Sequence, residues 1–164
     1  MSAHPAVGYP DELAMRLAGL RYVIDTREQR PWDFEGVEVV HKAMPAGDYS
    51  IETYETTFAI ERKSIEDLVG SLIGKERRPR FEREMETLSK YARALVVVEG
   101  HLDDVLGGFY RSGVKPQSVI ASLASIHARW NVATVYLGNP GSAARFARQW
   151  LSKCLTHCKR AEAA

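Results

Sequence analysis

Residues 47–67 read GDYSIETYETTFAIERKSIED, a run that holds two strands, a helix start and most of the chain's reactive side chains. Asp48 to Tyr54 and Thr56 to Arg62 have the content of two strands, joined by a tight turn at Glu55. The second strand carries Phe58-Ala59-Ile60 and ends in Glu61-Arg62-Lys63. Strand side chains alternate with period two, so Glu61 and Lys63 share one face and Arg62 takes the other. Ser64 is a good helix cap, and Asp67 follows three residues later, where a capping box wants an acid. Ile65, Leu68, Val69, Leu72 and Ile73 then recur at helical spacing until Gly74.

The same reading extends outward. Tyr22-Val23-Ile24 is a short strand that ends in Asp25-Thr26-Arg27-Glu28. Val37 to Ala43 reads as a β-branched strand, and Pro45-Ala46-Gly47 as a turn. Beyond Gly74, a helix runs from about Arg80 to Tyr91, followed by an unbroken apolar strand, Ala94 to Val98. Pro116 opens a helix to about Arg129, Val132 to Leu137 is another buried strand, and Ser142 caps a last helix that passes Leu151. Strands cluster early and then alternate with helices. The pattern predicts an α/β fold, a central mixed sheet flanked by helices. Residues 1–20 read as an appendage with a short helix from Asp11 to Leu17, residues 21–158 as the body, and residues 159–164 as a tail.

Composition bounds the class. The 164 residues suit one domain, and 45% apolar with 26% charged residues is ordinary globular usage. Cys154 and Cys158 cannot build a disulfide framework, which predicts an intracellular protein. They and His157 lack the second ligand pair of a zinc site. Neither a membrane span nor a signal-peptide pattern is present, nor a phosphate-binding glycine loop. The net charge of +1 does not announce a nucleic-acid binder, but its distribution is uneven. Lys75 to Arg83 reads KERRPRFER, with Lys75, Arg77, Arg78, Arg80 and Arg83 against two acids. Such a run is either a solvated helix face or a phosphate-facing patch. Trp32, after Pro31, either packs at a strand end or stacks a base.

The acids fall at the ends of strands. Carboxylates that converge from neighbouring strands suit Mg²⁺ or Mn²⁺, which take carboxylates plus waters. A metal held by Asp48 and Glu61 would polarise a phosphoryl oxygen and activate water, as phosphodiester hydrolysis requires. Lys63, with an ordinary pKa of about 10.4, serves better as an electrostatic group than as a base.

Gly47-Asp48, twelve residues, Glu61-Arg62-Lys63, three residues and Asp67 resemble the GD…ERKxxxD signature of the XPF/Mus/Hef-type endonucleases, a branch of the PD-(D/E)xK superfamily. Asp25-Thr26-Arg27-Glu28 resembles the family's DxRE strand end, and Val96 to Gly100 its following strand. The resemblance covers about residues 21–152 and implies a restriction-endonuclease-like fold. It implies metal-dependent cutting of DNA at flaps, forks or junctions, with Mg²⁺ or Mn²⁺ as cofactor. Asp48 and Glu61 would be metal ligands, Asp25 would line the same site and help hold the metal or its waters, and Lys63 would sit by the attacking water. Arg27, Glu28, Arg62 and Asp67 would complete a polar network. Arg80 would approach DNA or brace the site. The basic run follows the helix after this signature and so flanks the site, which favours the phosphate-facing reading of Lys75, Arg77, Arg78, Arg80 and Arg83. Glu84 stands where the family usually has glutamine. Family members usually carry a tandem helix-hairpin-helix module after the nuclease domain. Only about a dozen residues follow the last core helix here, so homodimerisation through the nuclease domain or a partner that grips DNA is expected. Other readings of the same residues are a non-catalytic DNA-binding scaffold subunit and a sequence-dependent duplex nuclease.

Overall fold

Two apolar layers, one on each side of a six-stranded sheet, follow directly from the alternation of the strands. The computed structural model describes residue 15 and residues 18–162. The strands are β1 (Tyr22–Ile24), β2 (Val39–His41), β3 (Tyr49–Ile51), β4 (Phe58–Ser64), β5 (Arg93–Glu99) and β6 (Ala133–Tyr136). The helices are α1 (Ile65–Ile73), α2 (Arg77–Leu88), α3 (Leu102–Gly107), α4 (Pro116–Trp130) and α5 (Pro140–Glu162). The sheet order is β2-β1-β3-β4-β5-β6. β3 runs antiparallel to β1 and β4, and the β1–β2, β4–β5 and β5–β6 pairs are parallel. This is the mixed α/β sheet flanked by helices that the sequence predicts.

One layer packs Tyr22, Ile24, Tyr49, Phe58, Ile60, Leu95 and Val97 against Ala147, Leu151 and Leu155 of α5. The other packs Val23, Ala59, Val96 and Val98 against Leu68, Val69 and Leu72 of α1, Phe81, Met85 and Leu88 of α2, and Val119 and Ile126 of α4. Each fully buried large side chain contributes about 1.5–3 kcal/mol. β4 and β5 lie in register from Phe58–Arg93 to Ser64–Glu99, and this long pair is the rigid centre of the fold.

Several boundaries differ from the sequence reading, each for a local reason. β3 and β4 are shorter at their junction than expected, because Thr53 takes a left-handed conformation (φ 71°) and the Tyr54 carbonyl accepts the N–H groups of Thr57 and Phe58. The turn therefore occupies residues 52–57. The second strand contracts to Val39–His41. α2 begins before Arg80, since Pro79 falls in the first turn, where its missing N–H costs nothing. It also ends earlier, at Leu88. β6 is half-buried rather than buried, being the last strand of the sheet. The cap of α5 is Asn139, not Ser142: its side-chain oxygen accepts the Ser142 N–H at 2.9 Å. α3 is an element the sequence reading lacks. The Asp11–Leu17 helix expected in the appendage lies outside the described residues, apart from Met15, which is fully buried. Cys154 is buried and Cys158 half-buried, both as free thiols. Among the described residues, no helix is long and apolar enough to cross a membrane.

Candidate active site

The site grows from Gly47. Its φ is +78°, and a Cβ there would come within 2.9 Å of the Ala59 Cβ, so only glycine lets this turn lie against β4. That close approach allows the Asp48 N–H to reach the Ile60 carbonyl at 2.7 Å, which places the Asp48 carboxylate beside the end of β4. One of its oxygens accepts the backbone N–H of Arg62 at 2.8 Å. Glu61 and Lys63 point from β4 to the same side, with Lys63 Nζ donating to Glu61 Oε1 at 2.7 Å. The Lys63 ammonium lies 4.9 Å from the centre of the Phe81 ring, a cation–π contact with α2. Asp48, Glu61, Lys63, Arg27, Asp67, Arg77, Arg80 and Glu84 line a cavity of about 390 Å³ between the strand ends, α1 and α2. A neighbouring cavity of about 530 Å³ also opens onto Asp48, Glu61 and Lys63, and adds Glu28, Arg30 and Glu99.

The electrostatics are unbalanced. Burial pushes the Asp48 carboxyl up to about 8, reinforced by the negative charge of Glu61 and opposed by the Arg62 N–H and Lys63. Burial likewise raises Glu61, with Glu84 adding to the effect and Lys63 working against it. Burial alone would lower Lys63, but Glu61, Glu84 and Asp48 outweigh it and hold the lysine raised. These neighbours favour the ammonium form of Lys63. Lys63 is the buried ammonium beside these carboxyls, while Arg27, Arg77 and Arg80 line the cavity from its exposed rim. Among the described residues, no three acidic, histidine or cysteine side chains group to hold a metal. The fit is instead to a cation that takes two protein carboxylates and draws its other ligands from water and phosphate, as Mg²⁺ commonly does.

Asp25 has a different surrounding. Its Oδ1 accepts the Arg27 N–H at 2.8 Å and Arg27 Nε at 2.7 Å, and its Oδ2 accepts Arg27 Nη2 at 3.0 Å and the Met44 N–H at 2.7 Å. Burial pulls its carboxyl up, but these donors outweigh burial and hold it below the usual range. It lies one hydrogen bond behind Asp48, its own N–H donating to the Asp48 carbonyl at 2.8 Å, and it does not line either cavity.

The other predicted residues divide similarly. Arg62 points to the opposite side of β4, where Nε and Nη2 clamp Glu99 at 2.7 and 3.0 Å and Nη1 reaches Glu28 at 3.0 Å. Asp67 caps α1 with Ser64 and meets Arg77 at 3.3 Å. Arg77 and Arg80 face the cavity, whereas Lys75 and Arg83 are exposed outside it. Arg78 turns inward to the Leu72 carbonyl, Ser122 Oγ and Glu82, tying α2 to α1 and α4. Trp32 is buried and stacked on Tyr49 at 4.2 Å, with its indole N–H on Glu99, so its ring is not available to a base. Two residues that sequence reading did not assign are Phe81, which covers Lys63, and Glu99, which receives both Arg62 and Trp32. The signal for Glu99 was its place at the charged end of the apolar run 94–98.

A mixed sheet whose strand ends carry an acidic pair and a lysine defines the restriction-endonuclease-like class. The sequence matches the ERCC4 domain over residues 24–149, and the chain belongs to that family. The fold is similar to that of XPF from Aeropyrum pernix, with a TM-score of 0.61 at 24% identity, covering 80% of this chain and 64% of that one. A structure of XPF from Aeropyrum pernix in complex with DNA matches with a TM-score of 0.63 at 24% identity, covering 84% of this chain and 65% of that one. The chain thus spans a little under two thirds of the length of those proteins. No curated protein matches the sequence.

Proposed function

We propose that this chain is a divalent-metal-dependent endonuclease that hydrolyses phosphodiester bonds in branched DNA, at flaps, forks or junctions. The observation that carries the reading is the buried Asp48–Glu61 pair at the wall of the cavity, flanked by Lys63. Asp48 and Glu61 would hold Mg²⁺ or Mn²⁺, which when bound supplies Lewis-acid polarisation of the phosphate and a more acidic water. The protein's own part is positional and electrostatic. Arg62 donates its backbone N–H to Asp48 and so fixes the carboxylate's direction. Phe81 and Glu61 hold the Lys63 ammonium at the wall of the cavity, where it offsets charge that develops on the phosphoryl oxygens. Attack forms a bond between phosphorus and the water oxygen. The bond from phosphorus to one ester oxygen breaks, and that oxygen takes up a proton. Arg77 and Arg80, on the rim, meet flanking phosphates, and the likeness to a protein solved in complex with DNA supports DNA as the ligand. Without a groove-reading helix among these contacts, recognition is of shape and backbone rather than sequence.

The test is cleavage of labelled 3′-flap, splayed-arm, nicked and plain duplex DNA with Mg²⁺, Mn²⁺ or EDTA, beside Asp48→Asn. Metal-dependent cuts near the branch, lost in the variant, support the reading. Binding without cutting under every metal overturns it in favour of a scaffold subunit. Discrete cuts in plain duplex overturn the branch preference.

A further inference from the structure

On the opposite side of β4 from Glu61 lies a larger cleft of about 770 Å³, between the loop after β1 and the start of α5. Its floor is the Arg62–Glu99 pair and the edge of Trp32, and these groups are already satisfied by one another. Its rim is not. Arg30 spends only its backbone, the N–H on Glu28 at 2.8 Å and the carbonyl on Arg62 at 2.7 Å. The guanidinium groups of Arg30 and Arg145 are exposed and make no ion pair among the described residues. Arg148 stands one helical turn beyond Arg145 and reaches the Glu35 carbonyl at 3.2 Å. Asp33 and Glu35 also line the cleft, so its rim is mixed in charge, with Arg30 and Arg145 as the guanidinium groups open to a ligand. The N-terminus of α5 adds little, because Pro140 has no N–H and Asn139 takes those of Ser142 and Ala143.

The cleft is continuous with the candidate active site. The 530 Å³ cavity over Asp48, Glu61 and Lys63 shares Arg30, Arg62 and Glu99 with it. A polyanionic chain with one phosphate above Glu61 and Lys63 that continues past Arg62 enters the cleft. We infer that the cleft is the path of a single-stranded arm of the DNA substrate, held on its phosphates by Arg30, Arg145 and Arg148. The inference rests on the nuclease reading for the position of the scissile phosphate. A cleft this size accommodates a few nucleotides of one strand and not a duplex about 20 Å across. Because the Trp32 ring is covered by Tyr49, the cleft presents charge rather than a stacking platform. Arm binding is therefore indifferent to sequence and sensitive to salt.

The test is fluorescence anisotropy of splayed-arm DNA and of the same duplex without arms, in EDTA, across a salt series. R30E/R145E is compared with wild type and with K159E/R160E, a charge-matched change about 20 Å beyond Arg145 along α5. R30Q/R145Q provides a milder form, and thermal melts check that each variant folds. The expected result is at least a tenfold loss of splayed-arm affinity in R30E/R145E, with duplex affinity and the control changed by less than threefold. The log–log salt slope on the arm falls by about 1.4, for two single-strand phosphate contacts. Equal losses on arm and duplex, or equal effects of the control, overturn the inference. A wild type that binds arms through these arginines but never cuts defeats the nuclease reading and leaves the arm path standing. A wild type that binds neither DNA defeats both.

Discussion

Asp25 and Asp48 end neighbouring strands and are joined by a single backbone hydrogen bond, yet they experience opposite fields. Asp25 accepts four hydrogen bonds, three from Arg27 and one from the Met44 N–H, and its charge is stabilised. Asp48 accepts one from a backbone N–H, faces Glu61, and is driven toward its neutral form. A carboxylate whose lone pairs are filled holds a corner of the fold together. One that is buried and short of donors is costly as an anion, a cost relieved by a proton or by a bound cation. Two aspartates at neighbouring strand ends thus differ in environment through burial, neighbouring charge and donors together.

The strongest break of this comparison is chemical. Glu61→Gln or Asp48→Asn is expected to lower metal-dependent cleavage by at least about a hundredfold, as loss of a charge-stabilising group does elsewhere. Circular dichroism is expected to show the fold retained. Near-wild-type cutting by either variant would remove the pair from the reaction. Asp25→Asn is expected to act first on stability. It leaves donors of Arg27 and Met44 unmatched, at about 1–3 kcal/mol, or about 2–12 °C in the melting temperature. An unchanged melt combined with dead cleavage would place Asp25 with Asp48 instead.

The pH dependence sharpens the same contrast, because the signs are opposite. Asp48 has a folded pKa above its unfolded value, so the folded state holds the extra proton. Its contribution is present below about pH 4 and is lost as pH rises through about 8. Asp25 is lowered, so its contribution is present at neutral pH and lost as pH falls below the ordinary carboxylate range. Melts of the metal-free protein are expected to drop between pH 5 and about 8, less steeply in Asp48→Asn, and to recover with Mg²⁺ at high pH. A wild-type profile with the same slope as Asp48→Asn would contradict the assignment. The smallest effects separate two neighbouring arginines. Arg80→Ala is expected to reduce DNA affinity and the salt slope by about 0.9 with little change in melting. Arg78→Ala is expected to lower the melting temperature, since it ties three helices together. The reverse pattern would exchange their roles.

What could be read from the sequence depended on how local the cause was. The β4 alternation, the Ser64 cap and the 94–98 apolar run lie within a few residues, and each appears in the structure where the pattern puts it. The ends of β3 and α2 depended on the left-handed Thr53 and on a proline tolerated in a first turn, which hydrophobic patterning does not encode. In the site, the spacing from Asp48 to Glu61 and Lys63 was legible because one hairpin carries all three. The roles of Phe81 and Glu99 were not, since tertiary packing brings them in from α2 and β5. Nor could the sequence distinguish the two aspartates, because the donors around Asp25 include a backbone N–H nineteen residues away.

The most direct measurement is calorimetric titration of Mn²⁺ into the metal-free protein at pH 8, for wild type, Asp48→Asn and Asp25→Asn. The account predicts binding by wild type, retained in Asp25→Asn under conditions where that variant is folded, and lost in Asp48→Asn. Binding that survives Asp48→Asn and disappears in folded Asp25→Asn would contradict it.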